Sequence, residues 1–343
     1  MKFTFKPPKK RNILIWDLDS KKFAKAVLDE KDLSYLAVRR EEVNLFILLK
    51  TLLKGKRRVI DYYLEFIKSV NPKIVLTFID NNLTFYKLRK YLNIPTAFVQ
   101  NGNRTSFDDI FGKLEKLNNN ETKDLKVDMM FVFNVATGEK YKKYISGDYI
   151  KIGSIINNSF LTKKSINKTL LYISNFRTVH LNKTKKIHEE LTWPDIVKTE
   201  GPLVRFLHSY AIKNNLDFCI LGKYSDDRKK IEYDYYSEFI ETKDWLFVNG
   251  SSDRMTYKII DEAKIVTGTQ STLLMESLSR QKKTIFFGVR PDIYPINSKF
   301  FGHLSKLKKT GPFWVNEYNE ETFKKVLDDT LNISINNLIN KLK

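Results

Sequence analysis

Short apolar runs rich in β-branched and aromatic residues recur along this chain, each bounded by polar turns and set off from the next by a longer amphipathic stretch. That alternation restricts the fold more than any other feature. A strand covered on both faces reads as an unbroken apolar run, whereas a covering helix shows apolar residues on one side only. Arg11–Asp17 (RNILIWD), Leu33–Val38, Lys73–Ile79 (KIVLTFI), Ile94–Gln100 (IPTAFVQ) and Val127–Phe133 (VDMMFVF) read as buried strands. Helices are expected between them at Glu42–Leu53, Arg57–Val70, Leu83–Leu92 and Thr137–Tyr144. Strands alternating with helices build βαβ units and a mostly parallel sheet.

The series breaks in the polar, aperiodic segment Asn157–Lys168 and then starts afresh. Strands are expected at Thr169–Ser174, Leu216–Leu221, Trp245–Val248, Ile265–Thr267 and Thr284–Phe287, with helices at Leu203–Asn214, Met255–Glu262, Ser271–Arg280 and Glu320–Leu331. The fold class read from this repetition is α/β with two Rossmann-like domains, residues 1–156 and 157–343. Length agrees, since 343 residues exceed the roughly 250 to 300 at which single cores stop growing.

Composition removes several classes. One cysteine, Cys219, allows no disulfide scaffold and no cysteine-based zinc site, and its apolar surroundings make it a small buried hydrophobe. The longest apolar stretch, Val43–Leu53, is interrupted by Lys50 and is far shorter than the roughly 18 to 20 residues that span a bilayer. The basic start MKFTFKPPKKR has no apolar core or cleavage site of a signal peptide, so the expected location is the cytoplasm or the inner face of its membrane. A net charge of +20 attracts polyanions of any kind. No nucleic-acid module or low-complexity arm accompanies it, so nucleic acid is not the expected partner.

Chemistry concentrates in DEAKIVTGTQSTLLMESLSRQKKTIFFG, Asp261–Gly288. A short strand breaks at Gly268, hydroxyl residues Thr269, Ser271 and Thr272 follow, and a helix begins with Glu276 on its second turn. Unpaired N–H groups and the positive dipole end of a helix N-terminus suit a phosphate, and the hydroxyls add donors. Glu276, four residues after Thr272, is placed where a carboxylate can accept from both hydroxyls of a ribose. The competing interpretation has Thr269 or Ser271 capping the helix and Glu276 in solvent.

This segment resembles the donor-binding region of GT-B glycosyltransferases, and more closely bacterial surface-carbohydrate biosynthesis proteins of that architecture. The resemblance is best over GTQSTLLMESLSRQKKTIFFG; in the N-terminal half it rests on element order and on IPTAFVQNGNR. It implies two domains facing a central cleft, Ser271 and Thr272 on the donor phosphates, and Glu276 on the ribose. The implied activity moves a sugar from a nucleotide-sugar co-substrate to a surface-polysaccharide or lipid-linked acceptor, with no other cofactor. An epimerase or polyol-phosphate transferase of the same fold, or a binding subunit of a polysaccharide assembly complex, stays open.

Further candidates follow from strand ends, where ligands of open parallel sheets gather. Asp80, after KIVLTFI, and Asp19, after ILIWDL, are candidate general bases, and each could instead cap a helix. Asn101 and Arg104 are candidate acceptor-side residues. Arg177, in SNFRT, would offset charge on the leaving nucleotide. Asp17-x-Asp19 also suggests a haloacid-dehalogenase-like phosphatase, but Lys21 stands where those enzymes carry Thr or Val. The four histidines show no ligand-like clustering, so metal independence is expected. Finally, VNLFILLKTLLKGKRR, residues 43–58, reads equally as a core helix with a basic end or as an element that touches an anionic membrane.

Overall fold

The computed structural model describes residues 1–39, 41–104, 109–160, 167–184, 186–188, 191–250, 252–289 and 309–340. The chain divides into two compact units, Met1–Asn158 and Ser159–Lys343. His303 and residues 161–166 of the segment 157–168 lie outside the described residues.

In the first unit six strands form one parallel sheet: β1 (Ile13–Trp16), β2 (Leu33–Leu36), β3 (Ile74–Thr77), β4 (Thr96–Val99), β5 (Lys126–Val132) and β6 (Ser146–Lys151). Their spatial order is β2-β1-β3-β4-β5-β6. Alternate residues of β1 to β5 enter two cores. Leu14, Trp16, Val75 and Phe98 pack on one side with Ile47, Ile67 and Tyr86 from the covering helices. Ile15, Leu76, Ala97 and Val99 pack on the other with Ala24 and Phe78. Both faces are dry, which is why these strands read as continuous apolar runs. Glu42–Asn44 is not the start of a helix but a short strand paired in parallel with Lys2–Thr4. The Asn44 side chain then caps the helix Leu45–Leu53 by accepting from the Ile47 N–H.

The second unit holds β7 (Thr169–Ile173), β8 (Asp217–Gly222), β9 (Trp245–Asn249), β10 (Ile265–Gly268), β11 (Thr284–Phe287), β12 (Thr310–Gly311) and β13 (Trp314–Val315), in the order β9-β8-β7-β10-β11-β13-β12. Within this sheet only the β12–β13 pair is antiparallel. Tyr172, Phe218, Ile220, Ile265 and Phe287 pack against the helices Glu200–Lys213, Arg228–Ser237 and Glu320–Asn332. Cys219 is buried, and burial pushes its thiol up to about 12, in keeping with a packing role.

Each sheet reverses its winding at one place, between β1 and β3 in the first unit and between β7 and β10 in the second. At such a switch point the loops after neighbouring strands turn to opposite faces and leave a crevice at the carboxyl ends.

Gly147, at the start of β6, shows how tightly this edge is registered. Its φ is +148°, and a Cβ there would sit 2.0 Å from the Val127 carbonyl oxygen of β5. Neither strand can yield without losing pairing. Gly147→Ala should therefore cost about 2 to 4 kcal/mol in urea unfolding, combining backbone strain with overpacking. Gly55→Ala, where φ is +69° but nothing lies within 4 Å, should cost only the strain. Equal losses at the two positions would contradict the contact.

Candidate functional site

The crevice of the second unit is built from the loops after β7, β8 and β10. Gly268 ends β10, paired with Ile173 of β7 and Phe286 of β11. A Cβ at Gly268 would be 3.0 Å from the Ile173 oxygen and 3.1 Å from Leu274 Cδ1, so any larger residue would crowd the strand end against the following helix, Thr272–Ser279. Thr269, 6% exposed, carries a buried hydroxyl with no hydrogen-bond partner among the described residues. An unpaired buried hydroxyl is costly unless something else satisfies it. Ser271 is the N-cap: its Oγ accepts from the Leu273 N–H at 3.2 Å. Thr272 is the first residue of the helix and half-buried.

Glu276 is buried, not in solvent, and its Oε2 accepts from Tyr257 Oη at 2.8 Å. Burial, then the Glu276 charge, pushes the Tyr257 hydroxyl far above its ordinary pKa, so it stays a donor. Beside this pair Arg280 lies over the Tyr257 ring at 5.0 Å and donates to Asp261 at 2.7 Å, and its guanidinium also reaches the Phe160 carbonyl at 2.8 Å. The helix that offers its N-terminus at the strand ends is thus fixed one turn down by buried charge-assisted bonds.

After β7, Ser174 Oγ donates to Glu232 and contacts Tyr236 Oη at 2.9 Å. Glu232, fully buried on Arg228–Ser237, also accepts the N–H groups of Lys223 and Tyr224 just beyond β8, at 2.9 to 3.1 Å. Burial raises the Glu232 pKa against the pull of Ser174 and these amides. The carboxylate clamps the β8 loop to the β7 loop. On those loops stand Lys223 and Arg177, neither in an ion pair among the described residues. Burial and then the Arg177 charge lower the Lys223 pKa. Arg177 and Lys223 act on each other electrostatically beside the phosphate-suited turn, with the buried Glu232 carboxylate nearby offsetting part of their charge.

In the first unit Asp17 directly follows β1 with φ +81°, a positive φ in a fully buried non-glycine residue. Its Oδ1 accepts from the Asp19 N–H at 3.0 Å and its Oδ2 from Arg39 Nε at 2.8 Å, while burial raises its pKa. Arg39 Nη1 also donates to Asp19 at 2.6 Å and its backbone N–H to Glu41 at 3.0 Å. Asp17, Asp19 and Glu41 bring carboxylate oxygens within 4.8 Å of one another, a spacing a cation could bridge, but the Arg39 guanidinium already engages two of the three.

Asp80 does not fit the general-base role expected of it. It is fully buried, and each carboxylate oxygen accepts twice: Oδ1 from the Asn101 N–H at 3.2 Å and Arg104 Nη2, Oδ2 from Arg104 Nε at 2.7 Å and Tyr141 Oη at 2.6 Å. Burial works against the Arg104 charge, but Asp80 more than offsets it and holds the guanidinium pKa above its ordinary value. A carboxylate saturated by a bidentate arginine and a phenol has no lone pair for an acceptor proton. Asp80 instead positions Arg104 and Asn101, whose Oδ1 also accepts from Arg104. Asp19, with 58% of its side chain exposed, is the candidate base that solvent reaches.

Sequence reasoning missed Glu232, Ser174, Lys223, Tyr257, Arg39 and Tyr141. Most lie on elements distant in sequence from the residues they hold, so no local spacing marks them. Ser174 and Lys223, each directly after a strand, were within reach of the strand-end rule.

Three solved structures are similar to this chain over nearly its whole length. UDP-GlcNAc 2-epimerase of Methanocaldococcus jannaschii, in complex with UDP-GlcNAc and UDP, is 12% identical with a TM-score of 0.54, covering 98% of this chain and 94% of its own. S. aureus MnaA with UDP is 11% identical at TM-score 0.51, covering 97% and 89%. A single-substitution variant of the wall teichoic acid polymerase TagF is 12% identical at TM-score 0.51, covering 98% and 84%. At such identities these likenesses establish the fold, α/β with two Rossmann-like domains of GT-B type. No curated protein matches the sequence. The family described as O-antigen biosynthesis protein matches residues 97–341, well over half of the 343-residue chain. That span takes in the last three strands of the first sheet and all of the second, and the chain belongs to this O-antigen biosynthesis protein family.

Proposed function

We propose that the chain transfers a sugar from a nucleotide-sugar donor, bound at the crevice between β7 and β10, to a surface-polysaccharide or lipid-linked acceptor at the strand ends of the first unit. One observation carries this reading. Arg177 and Lys223 stand at adjacent strand ends without an ion pair among the described residues, next to the turn where Gly268, Thr269 and Thr272 open a helix. That combination suits a diphosphate. The cations offset negative charge as it grows on the leaving nucleotide, which is where electrostatic help lowers a barrier most. Thr269 gains a partner it otherwise lacks, and Glu276, prealigned by Tyr257, is the group for the ribose.

Asp19 is the residue to accept the acceptor's proton, with Arg39 holding its carboxylate in place. The same fold serves UDP-GlcNAc 2-epimerases, as in the M. jannaschii enzyme, so transfer must be separated from isomerisation. Incubation with UDP-, CDP- and GDP-sugars and product analysis does so. Acceptor-dependent release of nucleoside diphosphate supports transfer, an isomerised sugar nucleotide replaces it with epimerisation, and binding without turnover marks a non-catalytic subunit.

Three outcomes test the roles. Glu276→Gln removes the charge and keeps the shape, so calorimetric affinity for the best nucleotide should fall about 10- to 100-fold, since charge-assisted bonds contribute roughly 1.5 to 3 kcal/mol. Unchanged affinity takes Glu276 out of the site. Asp19→Asn should lower turnover by about 100-fold or more while nucleotide affinity holds, as expected for loss of a general base; full activity would end its assignment. With the phosphate charge met by side chains and a helix end, turnover should survive EDTA. Loss on chelation, restored by Mg²⁺ or Mn²⁺, would turn attention to Asp17, Asp19 and Glu41 as ligands.

A further inference from the structure

The helix Leu45–Leu53 is apolar on two sides, and the core uses only one of them. Ile47 and Thr51 are buried, whereas Phe46, Leu49, Leu52 and Leu53 point outward, Leu53 being 79% exposed. Phe46, Leu49 and Leu53 follow the i, i+3, i+7 spacing of one helix face. Val59, at the start of the next helix (Val59–Val70), is exposed as well. So are Phe3 and Phe5, on and just after the strand Lys2–Thr4, which packs beside the Leu45–Leu53 helix. Three separate elements therefore present apolar side chains over this region. Between the two helices runs a groove of about 490 Å³ lined by Val43, Leu48, Leu52, Val59 and Tyr62.

The same region is positively charged beyond what its own carboxylates neutralise. Lys50 and Lys54 share the single carboxylate of Glu65, at 2.9 and 2.8 Å, and Arg58 pairs with Asp61 at 3.0 Å. Lys56 and Arg57, on the turn between the helices and lining the groove, have no ion pair among the described residues. An exposed apolar helix face edged by unneutralised cations is complementary to an anionic interface with an oily interior. A second copy of this chain would bring another +20 against it, and a nucleic-acid backbone would leave the leucines and phenylalanines in water.

We infer that this face of the first unit docks on an anionic lipid bilayer, with Phe46, Leu49 and Leu53 entering the headgroup–acyl boundary and Lys56 and Arg57 meeting the headgroups. No helix among the described residues is long and apolar enough to cross a membrane, so the contact lies in the plane of the surface. Val38, beside the groove, accepts from Tyr63 Oη at 2.9 Å and immediately precedes Arg39, so the docked face leads to the carboxyl end of β1. The surface does not depend on the transferase reading.

Flotation of the full chain with phosphatidylcholine vesicles, with and without about one third phosphatidylglycerol, tests it in the absence of nucleotide and acceptor. Binding should require the anionic lipid and weaken as salt rises. The double substitution Lys56→Gln with Arg57→Gln should lower partitioning about 30-fold, from roughly fivefold per charge. Leu49→Ser with Leu53→Ser should lower it at every salt concentration, with melting temperatures held in both variants because all four side chains are exposed. Failure to bind anionic vesicles overturns the proposal, as does binding that both variants retain. Self-association that the leucine substitutions abolish, without vesicle binding, would assign the face to a second copy instead.

Discussion

Parallel strands covered on both faces leave nowhere for polar chemistry except the strand ends, and that constraint organises both units. Within β1, β3 and β4 the side chains are consumed by two cores, and a polar group placed there would lose its water without a partner. Asp17, Ser174, Lys223 and Thr269 accordingly sit directly after the last residue of a strand, and Asp80 and Asn101 three and two residues past one. All six lie at the carboxyl edge because the strands of each crevice run parallel, and the winding reversal opens a space there.

Holding those ends still takes buried carboxylates. Asp80 joins the loop after β3 to the loop after β4 through Arg104 and Asn101, with Tyr141 bonded beneath. Glu232 does the equivalent for the loops after β7 and β8, through Ser174 and two backbone amides. Desolvating each charge is expensive, and the multiple short bonds offset it only while every partner is present. The consequence is rigidity where ligand groups must be prealigned. The positive φ of Asp17 fits the same pattern, since such strain persists only where Arg39 and the Asp19 amide over-determine the backbone.

Strand positions were legible in the sequence because burial on both faces writes itself as an unbroken apolar run. The exceptions in the two large sheets are β6, whose exposed side chains at Ser146, Asp148 and Lys151 leave no such run at the sheet edge, and β12 and β13, two residues each and too short to form one. The helix Arg228–Ser237 was invisible for a related reason: it is rich in charge and places only Glu232, Tyr235 and Tyr236 inward. Among site residues, the turn Gly268–Thr272 was legible because a strand, a glycine and a helix start are contiguous. Asp80 was misread. A carboxylate after a strand looks the same whether it meets an acceptor or a buried arginine 24 residues on, and only the fold decides which.

The charge of +20 could not be assigned from composition, since it attracts every polyanion alike. The structure narrows it by showing which cations are already spent. Arg39, Arg58, Arg104 and Arg280 are each bound to a carboxylate and can attract little else. Arg177 and Lys223 at the second unit's strand ends, and Lys56 and Arg57 beside the exposed face of Leu45–Leu53, are in no ion pair among the described residues. The surroundings then separate the two pairs. Backbone N–H groups and a buried hydroxyl beside the first suit a small, multiply hydrogen-bonded anion such as a diphosphate. Leucine and phenylalanine beside the second suit an anion carried on an apolar support, because burying those side chains contributes free energy that an aqueous phosphate cannot provide.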